Sequence, residues 1–197
     1  MFYILGGKMK HLLILLLLTI FLVSCEKNPN YDDDGIPNKV GEFLSKSEIK
    51  SLENIGVPIY RGEFAPTING TYIMDSLEIF YDDLGQTLTV EDQEYTFEEQ
   101  NNDTGEINFS STLGVTKVSY ISGNTNCFTI YSSSTSTGAD CDTEMPDIIS
   151  GCIIDGNIIN FKHAFVLTKR VGTCTDIIEI GHRRVLQEKD GVAQKKE

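Results

Sequence analysis

Histidine is scarce in this 197-residue chain, three in all, and none is spaced to share a zinc ion with another. There is no Cys-x-x-Cys pair, so a metal cluster is a poor reading of the cysteines. A serine-nucleophile elbow, a His-Glu-x-x-His helix and a P-loop are all missing, and with them the reactions those motifs carry. No apolar run reaches the roughly 20 residues that a membrane-crossing helix needs. Positive charge is also in short supply. All 29 Asp and Glu lie after residue 25, against 14 of the 16 Lys and Arg, which leaves that part of the chain at −15. Such a surface repels nucleic-acid phosphates and anionic membranes, so no nucleic-acid partner is expected. No cofactor motif is present, and the expectation is a protein that is not an enzyme.

What is present begins at the N-terminus. Leu12 to Val23 is uncharged and apolar, with Lys8, Lys10 and His11 before it and Ser24-Cys25 after it. Its length is that of a signal-peptide core with a basic start. The stretch Leu22-Val23-Ser24-Cys25 resembles the lipobox of bacterial lipoproteins. That resemblance implies cleavage before Cys25 and lipidation of Cys25, with residues 1–24 as signal peptide and the mature protein anchored at the outer membrane, on its periplasmic or cell-surface side. Met9-Lys10-His11 alone would open a compact signal, so translation is expected to start at Met9.

With Cys25 set aside, Cys127, Cys141, Cys152 and Cys174 remain, and an even number in an exported chain reads as two disulfides with three possible connectivities. Residues 25–40 read as a flexible acidic tether. Within it, Asn30, Asp32, Asp34 and Asn38 place oxygens at alternate positions around Gly35, resembling extracellular calcium repeats. Gly41 stands where an EF-hand has its bidentate Glu, and a plain acidic linker is the preferred reading. Residues 41–67 hold a short helix, with Ser45 and Glu48 as a capping box and Gly56 as its stop, then an extended segment.

From residue 68 the apolar residues alternate with period two. Tyr72 and Met74 share one parity and Leu77, Ile79 and Tyr81 the other, which predicts a bulge near Asp75-Ser76. Later segments carry Val90, Tyr95 and Phe97, Ile107 and Phe109, Val118 and Tyr120, and Phe128 and Ile130. A polar Ser/Thr/Gly loop follows, over 132–147. Ile148–Ile154 and Ile158–Leu167 then face each other across Asp155-Gly156, a strong hairpin signal, and Ile177–Ile180 reads as a last strand. The pattern predicts an all-β antiparallel barrel or sandwich over 68–182, with 183–197 as a polar tail. If strands 127–132 and 148–154 are antiparallel neighbours, Cys127 falls opposite Cys152 to within one position, and Cys141 and Cys174 emerge together at the other end. This selects Cys127–Cys152 and Cys141–Cys174.

Gly56-Val57-Pro58-Ile59, Ile68-Asn69-Gly70-Thr71-Tyr72, Ile121-Ser122-Gly123 before Phe128-Thr129-Ile130-Tyr131, Phe165–Arg170 and Asp190-Gly191-Val192-Ala193 together resemble a family of uncharacterised Bacteroidetes lipoproteins. That resemblance implies a small lipocalin-like β-barrel and a cell-envelope address. Tyr72, Tyr120, Phe128, Phe161, His163 and Phe165 are the candidates to line a cavity for a small apolar or glycan-like ligand. The competing expectation is an interaction subunit, docking loop tips such as 132–147 on an outer-membrane partner.

Overall fold

In the computed structural model, residues 28–112, 118–137, 141–174 and 179–197 are described. Cys25 and the first two residues of the strand expected at Ile177–Ile180 lie outside them, and Glu179 and Ile180 are not in a strand.

The helix forms as its caps dictate. Helix α1 (Lys46–Asn54) starts at Ser45, whose hydroxyl accepts from the Glu48 amide while the Glu48 carboxylate accepts from the Ser45 amide. It ends at Gly56, with φ at +92°. The strands are β1 (Gly70–Asp82), β2 (Thr89–Asn101), β3 (Glu106–Ser111), β4 (Val118–Asn124), β5 (Cys127–Thr137), β6 (Cys141–Ile154), β7 (Asn157–Val166), β8 (Lys169–Gly172), β9 (Arg183–Glu188) and β10 (Val192–Lys195).

Each strand from β1 to β7 pairs antiparallel with the next, β7 pairs with β9, and β9 returns to β1, closing a ring of eight. Strand β8 continues the line of β7 against β6, and β10 continues that of β9 between β1 and β7. An all-β antiparallel barrel is therefore the architecture. Closure gives each of these eight strands a neighbour on both sides. The turns at 102–105, 125–126 and 155–156 gather at one end, the closed end. The β1–β2 turn and the chain between β7 and β9 lie at the other, the mouth.

Several expectations hold. The β6–β7 hairpin turns at Asp155 and Gly156, both at positive φ, as a tight primed turn requires. Cys127 lies directly opposite Cys152 and is bonded to it, with Cα atoms 3.9 Å apart. Cys141 is bonded to Cys174, with Cα atoms 5.0 Å apart. The parity slip in β1 is real, but it is not the bulge predicted near Asp75-Ser76, because β2 slips with it and the pairing keeps its register. Core residues Tyr72, Met74 and Leu77 face Tyr95, Gln93 and Val90 with no change of register, and Asp92 takes a φ of +54° at the slip. A second irregularity, not foreseen, falls between Ile79 and Tyr81 against β9.

Three expectations need correction. The 132–147 loop is instead the outer part of the β5–β6 hairpin, paired continuously from Cys127/Cys152 to Thr137/Asp142. The polar tail 183–197 contains β9 and β10, which close the ring, with Val185 and Ala193 fully buried. The third concerns the acidic tether. From residue 28 onward it is folded onto the barrel, burying Tyr31, Ile36 and Val40.

What those residues cover explains why they are fixed. Across six adjacent strands, Tyr120, Tyr131, Ile148, Ala164, Val185 and Tyr81 form one lateral row of cross-strand partners on the outer face. A solvated barrel would carry polar residues there. Ile36, Val40 and Leu44, with Ile49 and Leu52 of α1 and then Val57, pack over the row as a second core. Each such aliphatic side chain contributes roughly 1.5–3 kcal/mol when fully buried. The extended strap that follows lies on β4: Ser122 Oγ donates to the Tyr60 carbonyl at 2.6 Å, and the Gly123 amide donates to the Gly62 carbonyl at 2.9 Å. A Cβ on Gly62 would stand 2.7 Å from the Gly123 oxygen, so this approach requires glycine.

Candidate functional site

Two inward-facing rows of side chains build the mouth. The deeper one runs Ile130, Ile149, His163, Leu186 and Ile79 through successive cross-strand partners. The next runs Ser132, Asp147, Phe165, Arg184 and Asp82. Below them the barrel is filled. Tyr72, Tyr95, Phe97, Phe128 and Phe161 are all at most 2% exposed and pack with aliphatic side chains in one continuous core. Above them the filling stops. A cavity of about 300 Å³ opens at the mouth, walled by Leu88, Val90, Phe109, Met145, Phe165 and Leu186.

Polar groups converge on its floor. His163 is 5% exposed, held edge-on between the rings of Tyr95 and Phe165. Its Nδ1 lies 2.7 Å from the Tyr95 hydroxyl. Burial, and then the nearby Asp147 charge, push the Tyr95 phenol well above its ordinary pKa, so it keeps its proton. When that hydroxyl donates to Nδ1, the ring carries its own proton on Nε2. Nε2 stands 3.4 Å from Asp147 Oδ1 and has no hydrogen-bond partner among the described residues. In the row above, Ser132 Oγ is also buried with no hydrogen-bond partner among the described residues.

The cation at the rim is already engaged. Arg184 Nε donates to Asp82 Oδ2 at 2.7 Å, and its Nη2 donates to Gln86. Asp82, whose side chain is fully buried, also accepts from the backbone amides of Leu84 and Gln86 and lies 3.1 Å from His182 Nε2. Burial alone would raise its pKa, but the Arg184 bond and the two amides outweigh that and hold it below the usual value. Next to it, the Arg183 guanidinium grips both oxygens of Asp83. His182, Asp82 and Asp83 therefore form, with Arg183 and Arg184, the polar lock where β9 meets β1.

Of the candidates to line a cavity, His163 and Phe165 do so. Tyr72, Phe128 and Phe161 fill the dry core, and Tyr120 faces outward, its ring 6.4 Å from that of Phe43. Asp147 and Arg184 were missed. Both lie in stretches that read as loop and tail, where no alternation marks an inward face.

The acidic turn around Gly35 is organised by a lysine. Lys46 Nζ lies 3.1 Å from Asp32 Oδ2 and 2.5 Å from Asp34 Oδ2, in the place a cation would take. The amides of Asn30 and Asn38 donate to the carbonyls of Asp103 and Pro29. Asp32 Oδ1 accepts from the Asp34 and Ile36 amides. Asn30, Asp32, Asp34 and Asn38 thus brace the turn, and no group of three or more metal-binding side chains occurs among the described residues.

The chain matches no protein-family model, no curated protein and no solved structure.

Proposed function

We propose that this protein is a lipid-anchored barrel of the bacterial cell envelope, attached to the outer membrane through Cys25, that binds a small neutral amphiphile in its mouth. The observation that carries the reading is His163 Nε2, which has no hydrogen-bond partner among the described residues, on the floor of an apolar cavity. At about 300 Å³ the cavity is at the small end of the range for ligand sites, roughly 300–1,000 Å³, so a compact ligand fits it. The polar groups favour a hydroxyl, which can accept from Nε2 and donate to Asp147. A carboxylate would lie against Asp147, with Arg184 already held by Asp82. The lipobox-like stretch and the resemblance to Bacteroidetes lipoproteins support the address.

The arrangement favours binding without turnover. Ser134 lines the cavity, but its hydroxyl donates to the Met145 carbonyl rather than approaching His163. Asp147 is the one carboxylate among the described lining residues, so the cavity holds no pair of the glycosidase kind. A second reading, docking of a protein partner on the rim, draws on the exposure of Leu84, Leu88, Val171 and Ile180.

The test uses N-phenyl-1-naphthylamine, a neutral fluorophore, displaced by 1-octanol or by octanoate. Octanol should displace it saturably and at least about tenfold more tightly than octanoate, a difference of about 1.4 kcal/mol. His163→Phe should weaken octanol about tenfold while leaving the folded spectrum unchanged. No saturable displacement, or a preference for octanoate, would overturn the reading.

A further inference from the structure

The N-terminal segment is fastened at one place on the barrel. The Asn28 and Asn30 side-chain amides both donate to the Asp103 carbonyl, at 3.0 and 2.9 Å, in the β2–β3 turn. Tyr31 Oη donates to the Ile121 carbonyl at 3.1 Å and lies close to Gly105, where an added Cβ would come within 2.9 Å of it. All these contacts are at the closed end. Cys25 precedes Asn28 by three residues. Three residues span at most about 11 Å even when fully extended. The barrel is several times longer than that: β6 alone has 14 residues. At about 3.3 Å per residue and a tilt near 40°, such a strand rises roughly 30–35 Å along the barrel axis.

From this, and resting on the reading that Cys25 is acylated, we infer that the closed end of the barrel is seated on the lipid surface and the mouth is turned away from it. The surface of that end fits a bilayer interface. Phe64 is 73% exposed, in the strap between Glu63, bridged to Gly123, and Ala65, whose carbonyl accepts from Asn102. Ile154, 47% exposed, adjoins the β6–β7 turn. Lys195 and Lys196 lie beside the start of β1 in a strongly acidic chain, Lys196 with its ammonium 2.6 Å from Glu94. Apolar side chains entering the headgroup region with basic residues at its edge is a common interfacial arrangement. The mouth has exposed apolar residues too, so apolarity alone does not choose an end. The three-residue reach does. A ligand would then enter from the aqueous side facing away from the anchoring leaflet.

The experiment uses full-length protein purified from membranes and reconstituted in vesicles of phosphatidylcholine with phosphatidylglycerol. Mass analysis of the N-terminal peptide comes first. An unmodified Cys25 would end both the anchoring reading and this inference, whereas an acylated Cys25 leaves orientation as the sole question. Phe64→Cys and Leu84→Cys, at exposed positions of the closed end and the mouth, are then each labelled with an NBD fluorophore, and both must retain the parent's circular dichroism spectrum as a check on folding. With nitroxide-labelled acyl chains in the vesicles, the label at 64 should be quenched at least threefold more than the label at 84. Equal quenching, or stronger quenching at 84, would overturn the orientation while leaving the anchor intact.

Discussion

Ile36→Ala distinguishes a folded N-terminal segment from an acidic linker more sharply than any other single substitution. Ile36 is 5% exposed, packed in the outer cluster with Val40, Leu44, Ile49 and Leu52. Its amide donates to Asp32 Oδ1 at 2.9 Å, and alanine keeps that bond. The loss is therefore apolar contact alone. Truncating a buried isoleucine to alanine costs about 2–5 kcal/mol, the low end applying where the site can relax or admit water. Ile36 also borders an open groove beside Lys46 and Arg61, so a cost of about 2 kcal/mol is expected. For a domain of this size that corresponds to a fall in Tm of roughly 4–8 °C. The assay is urea unfolding of the oxidised protein, followed by tyrosine fluorescence, with the midpoint read at unchanged slope. Lys39→Ala is the control, because its ion pair with Glu42 is exposed on both sides, and it should leave the midpoint unchanged within error. If Ile36→Ala and Lys39→Ala unfold alike, within error of the parent, the segment is a linker and the second core is illusory.

Two further substitutions read the charges of Glu188 and Asp83, the first buried and the second paired at the surface. Glu188 is 3% exposed, its Oε2 has no partner among the described residues, and burial raises its pKa. A raised folded pKa means that stability is fully present below the unfolded value, near 4.5, and is lost as pH rises through the folded one. Glu188→Gln should therefore raise the urea midpoint at pH 7 and leave it nearly unchanged at pH 4; an equal effect at both values would remove the argument. Asp83 behaves oppositely, since its Arg183 bonds, then those from Tyr81 and the Arg183 amide, outweigh burial and hold its pKa far below the ordinary carboxylate value. Its contribution is present above the unfolded value of about 3.8 and lost as pH falls toward the folded one. Asp83→Asn should cost about 1–2 kcal/mol at pH 7 and flatten the acid limb below pH 4, and a parallel limb would contradict this.

Much of the fold could be read along the chain because local signals agreed with one another. The Ser45 capping box, the Asp155-Gly156 turn and the cysteine spacing each act over short range or through one strand pair. The rest depended on what covers what. Alternation in β4 to β7 reveals two faces but not which one is inside, because the strap and α1 bury the outer face as well. Tyr120 was assigned to the interior for that reason. The N-terminal anchors Tyr31, Ile36 and Val40 follow no period, since they touch the barrel from a turn and a 3₁₀ segment. In β9, Val185 and Leu186 are both buried, one in each core, so a strand buried on both faces looks like a short apolar pair in a charged run. The cavity was half legible. His163 and Phe165 share parity with Phe161, but Asp147 and Arg184 reach the mouth only through the register of the closed ring.

After residue 25 the chain has two histidines, His163 and His182, which makes the floor of the cavity directly observable. Nitrogen NMR of histidine-labelled protein, titrated with 1-octanol, tests the binding account at the atom on which it rests. The account predicts a saturable shift of His163 Nε2, with His182, locked to Asp82, unmoved. Absence of a saturable shift at His163, or equal shifts at both histidines, would contradict it.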